Sequence, residues 1–165
     1  MNQEATRAPA SGRLERLWEE HAAAVHAYVR RREPELADEV CAETFAVAWR
    51  RLHDVPADAR PWLVGVARNV LRTARRSAGR RAALADRLAA DRPTQTVDPP
   101  DDPALGAALR RLSELDRELV LLVYWDDLEP AAAGRVVGLP PAVVRTRLWR
   151  ARRRLRAVLE GEEAS

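Results

Sequence analysis

The stretch DRPTQTVDPPDDP, Asp91 to Pro103, packs four prolines and four aspartates into thirteen residues. Proline fixes φ and removes a backbone donor, so such a run continues neither a helix nor a central strand. It reads as an acidic, proline-rich tether. A chain of 165 residues cut at this point leaves two pieces, each obliged to bury a small core of its own.

Within each piece the apolar residues repeat at helical spacing. From Leu14 they return through Leu17, Val25, Tyr28 and Val29, while residues 1–11 are polar and small and are expected to fray. A second helix is expected from about Ala37 to Leu52, with Cys41, Phe45, Ala48 and Leu52 on one arc. The loop HDVPADARP follows, and Pro61 suits the first turn of a third helix. Leu63, Val66, Ala67, Val70 and Ala74 make its apolar stripe. The second unit starts near Ala104, and Ser113 with Asp116 resembles a capping box before the run LVLLVYW. No stretch alternates as a strand would, and no internal repeat is present. The expectation is an all-α protein: a helical domain at 12–82, a flexible linker at 83–103 and a second helical domain at 104–160.

Apolar residues make up 47% of the chain, enough for real cores, and charged residues 32% with a net charge of +3. The modest total hides strong local bias. Arg68 to Arg81 holds six arginines and no acid, whereas Asp91 to Asp102 holds four aspartates and one arginine. All 28 basic residues are arginine, whose planar fork grips phosphate or guanine through two bonds. A single cysteine, Cys41, excludes a disulfide within the chain, and three scattered histidines give no zinc-binding spacing. No apolar run approaches a membrane span and no signal peptide is apparent, so a soluble, cytoplasmic protein without membrane insertion is expected. No phosphate-binding loop is present, and His21, His26 and His53 have no serine or cysteine at a motif spacing. Neither an enzyme nor a cofactor site is expected.

The most basic segment, VVRTRLWRARRRLR from Val143 to Arg156, contains seven arginines and no acid, yet its apolar residues keep helical step. At about 100° per residue, Val144, Leu148, Ala151, Leu155 and Val158 cluster within about 80° and can bury together. Arg145, Trp149, Arg152 and Arg156 occupy one exposed flank, and Thr146, Arg150 and Arg153 another. A helix held by ion pairs on its surface would interleave both signs, which this one does not. Upstream lies EPAAAGRVVGLPPAVVRTRL: a short helix, a turn at Gly138, then the basic helix. That is helix-turn-helix spacing, in which the second helix enters the DNA major groove and further arginines meet phosphates.

Two blocks of the chain resemble the ECF (group IV) sigma factors, the dissociable promoter-reading subunits of bacterial RNA polymerase. ADEVCAETFAVAWRRL with ARPWLVGVARNVLRTARR is similar to the family's region 2. LSELDRELVLLVYWDDLEPAAAGRVVGLPPAVVRTRLWRARRRLR is similar to region 4. The resemblance implies that Glu39, Ala42, Glu43, Ala46 and Arg50 dock on the clamp of the polymerase's largest subunit, with Ala42 where the family usually has glutamine. It implies that region 4 meets the flap of the second-largest subunit. The loop from His53 to Arg60 and the helix after it would capture the melted minus-ten element. There Asn69 would read base edges and Arg68, Arg72, Arg75 and Arg76 would track the strand. Trp62 lies in the family's WL motif, where it can be a core residue, the expected role, or a stacking platform for a base. In region 4, Arg145, Thr146, Trp149 and Arg150 match the base-proximal face that reads the minus-thirty-five element, and Arg147 and Arg152 match phosphate contacts. An anti-sigma protein is a further implied partner.

Region 4 departs from the family's pattern at three positions. Pro140 replaces the serine or threonine that caps the recognition helix, Gly134 replaces a packing alanine and Ala133 a larger aliphatic residue. The expectation is a helix pair loosened by about 1 kcal/mol for each change. Two other readings compete: a stand-alone helix-turn-helix regulator, and an arginine-rich RNA-binding adaptor, which lacks the aromatic sheet such modules use.

Overall fold

The computed structural model describes residues 3–85 and 102–163, and among these there are seven α-helices and no strand. The chain divides into two compact units, with the division inside the undescribed segment 86–101. The proline-rich part of the expected linker therefore lies outside the described residues.

The first unit contains α1 (Gln3–Arg30), α2 (Ala37–Arg50) and α3 (Ala59–Ala85), with single 3-10 turns at Pro34–Leu36 and Leu52–Asp54. Of the residues 1–11 expected to fray, 3–11 lie in α1, which begins at Gln3, and residues 1–2 lie outside the described residues. The second helix stops at Arg50, so Leu52 falls in the following turn and is only half-buried. The third begins at Ala59, and Pro61 sits inside its first turn, where a missing N–H costs no helical bond.

Val25, Tyr28 and Val29 of α1 are buried with Val40, Phe45 and Ala48 of α2 and Leu63, Val64, Ala67 and Leu71 of α3. The buried face of α3 is thus rotated from the expected one. Val66, Val70 and Ala74 are half-buried because α3 packs on α1 and α2 together, and Val70 and Ala74 wall a groove against α2. A cation–π contact and an ion pair tie the helix ends. Arg32, only 4% exposed, lies 3.7 Å from the Tyr28 ring centroid and donates to the Tyr28 carbonyl at 2.9 Å. Arg75 of α3 donates to Glu33 Oε2 at 3.0 Å and to the Arg32 carbonyl at 3.1 Å. A buried guanidinium needs such partners, here an aromatic face and a carbonyl.

The second unit contains α4 (Pro103–Arg110), α5 (Glu114–Tyr124), α6 (Pro130–Val137) and α7 (Pro141–Glu163). Its first helix opens one residue earlier than expected because Asp102 caps it, accepting from Ala104 N at 2.9 Å and Leu105 N at 3.4 Å. Ser113 Oγ accepts from Asp116 N at 3.1 Å, as the capping-box spacing predicts for α5. Leu109, Leu119, Leu122, Ala133 and Val144 are among the fully buried residues of this unit.

Candidate nucleic-acid interface

Helix α6 ends at Gly138, whose φ of 78° and ψ of 34° are left-handed and cheap only for glycine. The N–H groups of Gly138 and Leu139 both donate to the Gly134 carbonyl, at 2.8 and 2.9 Å. The chain then reverses through Pro140, whose carbonyl accepts the first helical bond of α7 from Val144 N at 3.1 Å. The loosening expected at Gly134 is corrected by the geometry. A Cβ there would stand 2.5 Å from the Leu139 carbonyl oxygen, so glycine is what lets the turn close on α6. Ala133 beside it is fully buried.

Helix α7 buries Val144, Leu148 and Ala151, while Leu155 and Val158 towards its end are half-buried. Arg145, Thr146, Trp149, Arg150, Arg152, Arg153 and Arg156 are all exposed. Trp149, 55% exposed, packs against no core; the Arg153 guanidinium lies 4.9 Å from its ring centroid. Arg152 donates to the Tyr124 hydroxyl at 3.4 Å. The result is one helix face carrying several guanidiniums and a flat ring to solvent, mounted on an apolar stripe that fixes it.

Arg147 is different. It is half-buried, and its Nη1 donates to Asp116 Oδ1 at 2.8 Å. Burial pushes the Asp116 carboxyl up, but its bonds with Arg147 and Ser113 and the nearby Arg154 charge outweigh burial and hold it below its ordinary value. Sequence reasoning placed Asp116 in a cap and missed its second role. The acid-free run around Arg147 gives no hint of a partner 31 residues upstream.

In the first unit, Glu39, Ala42, Glu43 and Arg50 are exposed on α2 and Ala46 is half-buried. Glu43 and Arg50 pair at 2.7 Å. Between α2 and α3 runs a groove of about 790 Å³, floored by Val40, Ala42, Ala46, Val70 and Ala74 and rimmed by Glu39, Glu43, Asn69 and Thr73. Asn69, read separately from the α2 set in sequence, therefore shares one groove with it. Arg72 and Arg76 are exposed and Arg68 half-buried, whereas Arg75 is held by Glu33. The loop before α3 is braced at both ends. Arg13 donates to the Val55 carbonyl at 2.7 Å, Arg51 pairs with Asp54 at 2.9 Å, and Arg51 lies 5.8 Å from the ring of a half-buried Trp62.

Among the described residues no group of histidines, cysteines and acids forms a metal site, and no helix is long and apolar enough to cross a membrane.

Residues 17–81 match the family model for sigma-70 region 2, and residues 103–155 that for sigma-70 region 4. The probable RNA polymerase sigma factor RfaY of Xanthomonas campestris is 35% identical over 73% of this chain, which spans 33% of that protein's length. The ECF RNA polymerase sigma factor SigL of Mycobacterium tuberculosis is 30% identical, and the match covers 87% of each chain. Among solved structures, RpoE of Bartonella quintana, in complex with the anti-sigma factor NepR, shares the fold with a TM-score of 0.68 at 21% identity. That match covers 88% of this chain and 96% of RpoE. CnrH, in complex with the cytosolic domain of CnrY, gives 0.62 at 24% identity over 90% of this chain and 88% of its own. A glycine-stopped turn under an acid-free arginine face, a second unit with its own helical core, and these relatives over nearly the whole chain agree: the protein belongs to the ECF RNA polymerase sigma factors of the sigma-70 family.

Proposed function

We propose that this protein directs core RNA polymerase to a particular set of promoters and helps open them. The observation that carries the reading is α7. It presents Arg145, Thr146, Trp149 and Arg150 outward while Val144, Leu148 and Ala151 hold it to the second unit. A helix so mounted fits the major groove of a minus-thirty-five element, with base contacts from those four residues and a phosphate contact from Arg152. Arg147, expected to meet phosphate as well, already has a carboxylate partner.

In the first unit the α2–α3 groove, edged by Glu39 and Glu43, suits a polymerase helix carrying cationic residues. The clamp of the largest subunit is the proposed occupant, and the flap of the second-largest subunit the proposed contact of the second unit. Asn69, Arg68, Arg72 and Arg76 are proposed to meet the melted minus-ten strand, with Arg75 tied to Glu33 at that helix's edge. Bond making and breaking belong to the polymerase, and the setting is the cytoplasm. An anti-sigma protein is a proposed third partner, by analogy with the complex of RpoE and the anti-sigma factor NepR.

The test is reconstitution. Core polymerase with the purified chain is expected to start transcription at sites mapped after overproduction, and core enzyme alone is not. A chain that binds duplex tightly by itself and never associates with core polymerase is instead a stand-alone regulator. Recovery of the tagged chain from unstressed cells without a stoichiometric companion overturns the anti-sigma proposal.

A further inference from the structure

Arg147 stands apart from the other arginines of the recognition helix. At about 100° per residue it lies on the α5 side of the Val144–Leu148 stripe, roughly 100° from Thr146 on the outward face. There its Nη1 meets Asp116 Oδ1 at 2.8 Å, and Arg154 Nη1, two turns further along α7, stands 3.9 Å from Oδ2. The carboxylate is the fixed end of this contact. Asp116 is on the first turn of α5, its N–H is capped by Ser113, and the helix dipole favours an anion there. Its side chain is 11% exposed against 37% for Arg147.

A guanidinium neutralised in this way is poorly suited to hold a phosphate. Leaving Asp116 would strand a nearly buried carboxylate, a costly state. The pair is well suited to a different task. Val144, Leu148 and Ala151 are buried and hold α7 to the core, but they make no directional polar contact. A directional ion pair to one side of that strip adds a fixed bearing for the rotation of α7. At the radius of a helix with its side chains, about 5–6 Å, a roll of about 10° moves an outward-facing group by about 1 Å. That is enough to carry a hydrogen bond to a base edge out of range.

We infer that Asp116 is a positioning residue for the contact with promoter duplex: through Arg147 it fixes the roll of α7, and Arg147 is not itself a phosphate contact. The inference rests on the reading of α7 as the promoter-reading helix.

The experiment uses holoenzyme made from core polymerase and the full chain. Its probes are a promoter fragment from a mapped start and the same fragment with its minus-thirty-five element replaced. Asp116→Asn keeps the size and removes the charge. It is expected to lower the preference for the intact fragment about tenfold, the scale of coupling between neighbours in one network. Arg147→Ala is expected to do the same, the double variant no worse than either, and Arg147→Lys to restore part of the preference. Through all of these, binding to core polymerase stays unchanged. The slope of log affinity against log salt stays unchanged in Arg147→Ala, whereas loss of a phosphate contact lowers it by about 0.9. An unaltered preference in Asp116→Asn, or that drop in slope for Arg147→Ala, overturns the inference. If Asp116→Asn alone unfolds the second unit, Arg147→Ala decides. If both unfold it, the pair is a folding contact and the inference is again overturned. Failure of the unsubstituted holoenzyme to prefer the intact fragment counts against the sigma-factor reading instead.

Discussion

Gly134 and Leu139 meet with no side chain between them: a Cβ at position 134 would stand 2.5 Å from the Leu139 carbonyl oxygen and 3.2 Å from Val144 Cγ2. The backbone of α6 is thereby drawn against both the turn and the first buried residue of α7. Alanine is the better helix former by about 1 kcal/mol, yet Gly134→Ala is expected to destabilise the second unit by about 1–3 kcal/mol, because a carbonyl in the turn has to move. Urea unfolding, followed through amide hydrogen exchange in α6 and α7, measures it. Unchanged or increased protection would mean that the turn shifts freely.

The pairing of Arg75 with Glu33 divides the arginines of α3 by task. Both partners are mostly buried, and Arg75 also holds the Arg32 carbonyl, so Arg75→Ala is expected to cost about 1 kcal/mol of stability in the first unit. Arg72 and Arg76 are exposed, and their alanine variants should fall within about 0.5 kcal/mol of the parent. Strand opening, read as the reactivity of unpaired thymines to permanganate, should show the reverse order. The largest losses are expected for Arg72→Ala and Arg76→Ala at a temperature where all the variants are folded.

These two contacts mark the boundary of what the sequence made legible. The buried stripe of α7, the turn at Gly138 and the Ser113 cap are local patterns. Each is decided by residues within a few positions of one another, and each was readable. Glu33 and Arg75 are 42 positions apart, and Asp116 and Arg147 are 31 apart. A run without acids looks uniformly available until another helix supplies the carboxylate. The rotated face of α3 has the same origin. Periodicity locates an apolar arc, but packing against two helices at once selects Val64 and Leu71 over Val70 and Ala74. Gly134 was misjudged because a missing side chain reads as a loss until the backbone carbonyl filling its place is seen.

Acid should weaken the second unit through Asp116. Burial pushes this carboxyl up, but its bonds to Arg147 and Ser113 leave it below its ordinary value in the folded chain. In the unfolded chain it titrates near the ordinary value of about 4. The folded state therefore binds the proton less readily, and the stabilisation is present above about pH 4. It is lost as pH falls through the depressed value. Amide protection of α5 and α7 between pH 5 and 3 is expected to decline more in the parent than in Asp116→Asn, which has no charge to lose. Parallel declines would assign the acid sensitivity to other carboxylates.

Arg150 offers the sharpest separation of the two surfaces. It is exposed on α7, beside Thr146, and belongs to the second unit, while the groove proposed for polymerase lies between α2 and α3 of the first. Arg150→Ala removes a group matched to a base edge, a change worth about 1–3 kcal/mol at a specific contact. Transcription from the mapped promoter should fall by the corresponding five- to 150-fold or so, with core polymerase bound as tightly as before. Ala46→Trp, which fills the floor of the groove, should do the opposite: polymerase binding is lost while duplex contacts of the second unit are untouched. Each substitution lies within its own compact unit. Equal losses of polymerase binding and promoter preference in either variant would contradict the division of labour between them.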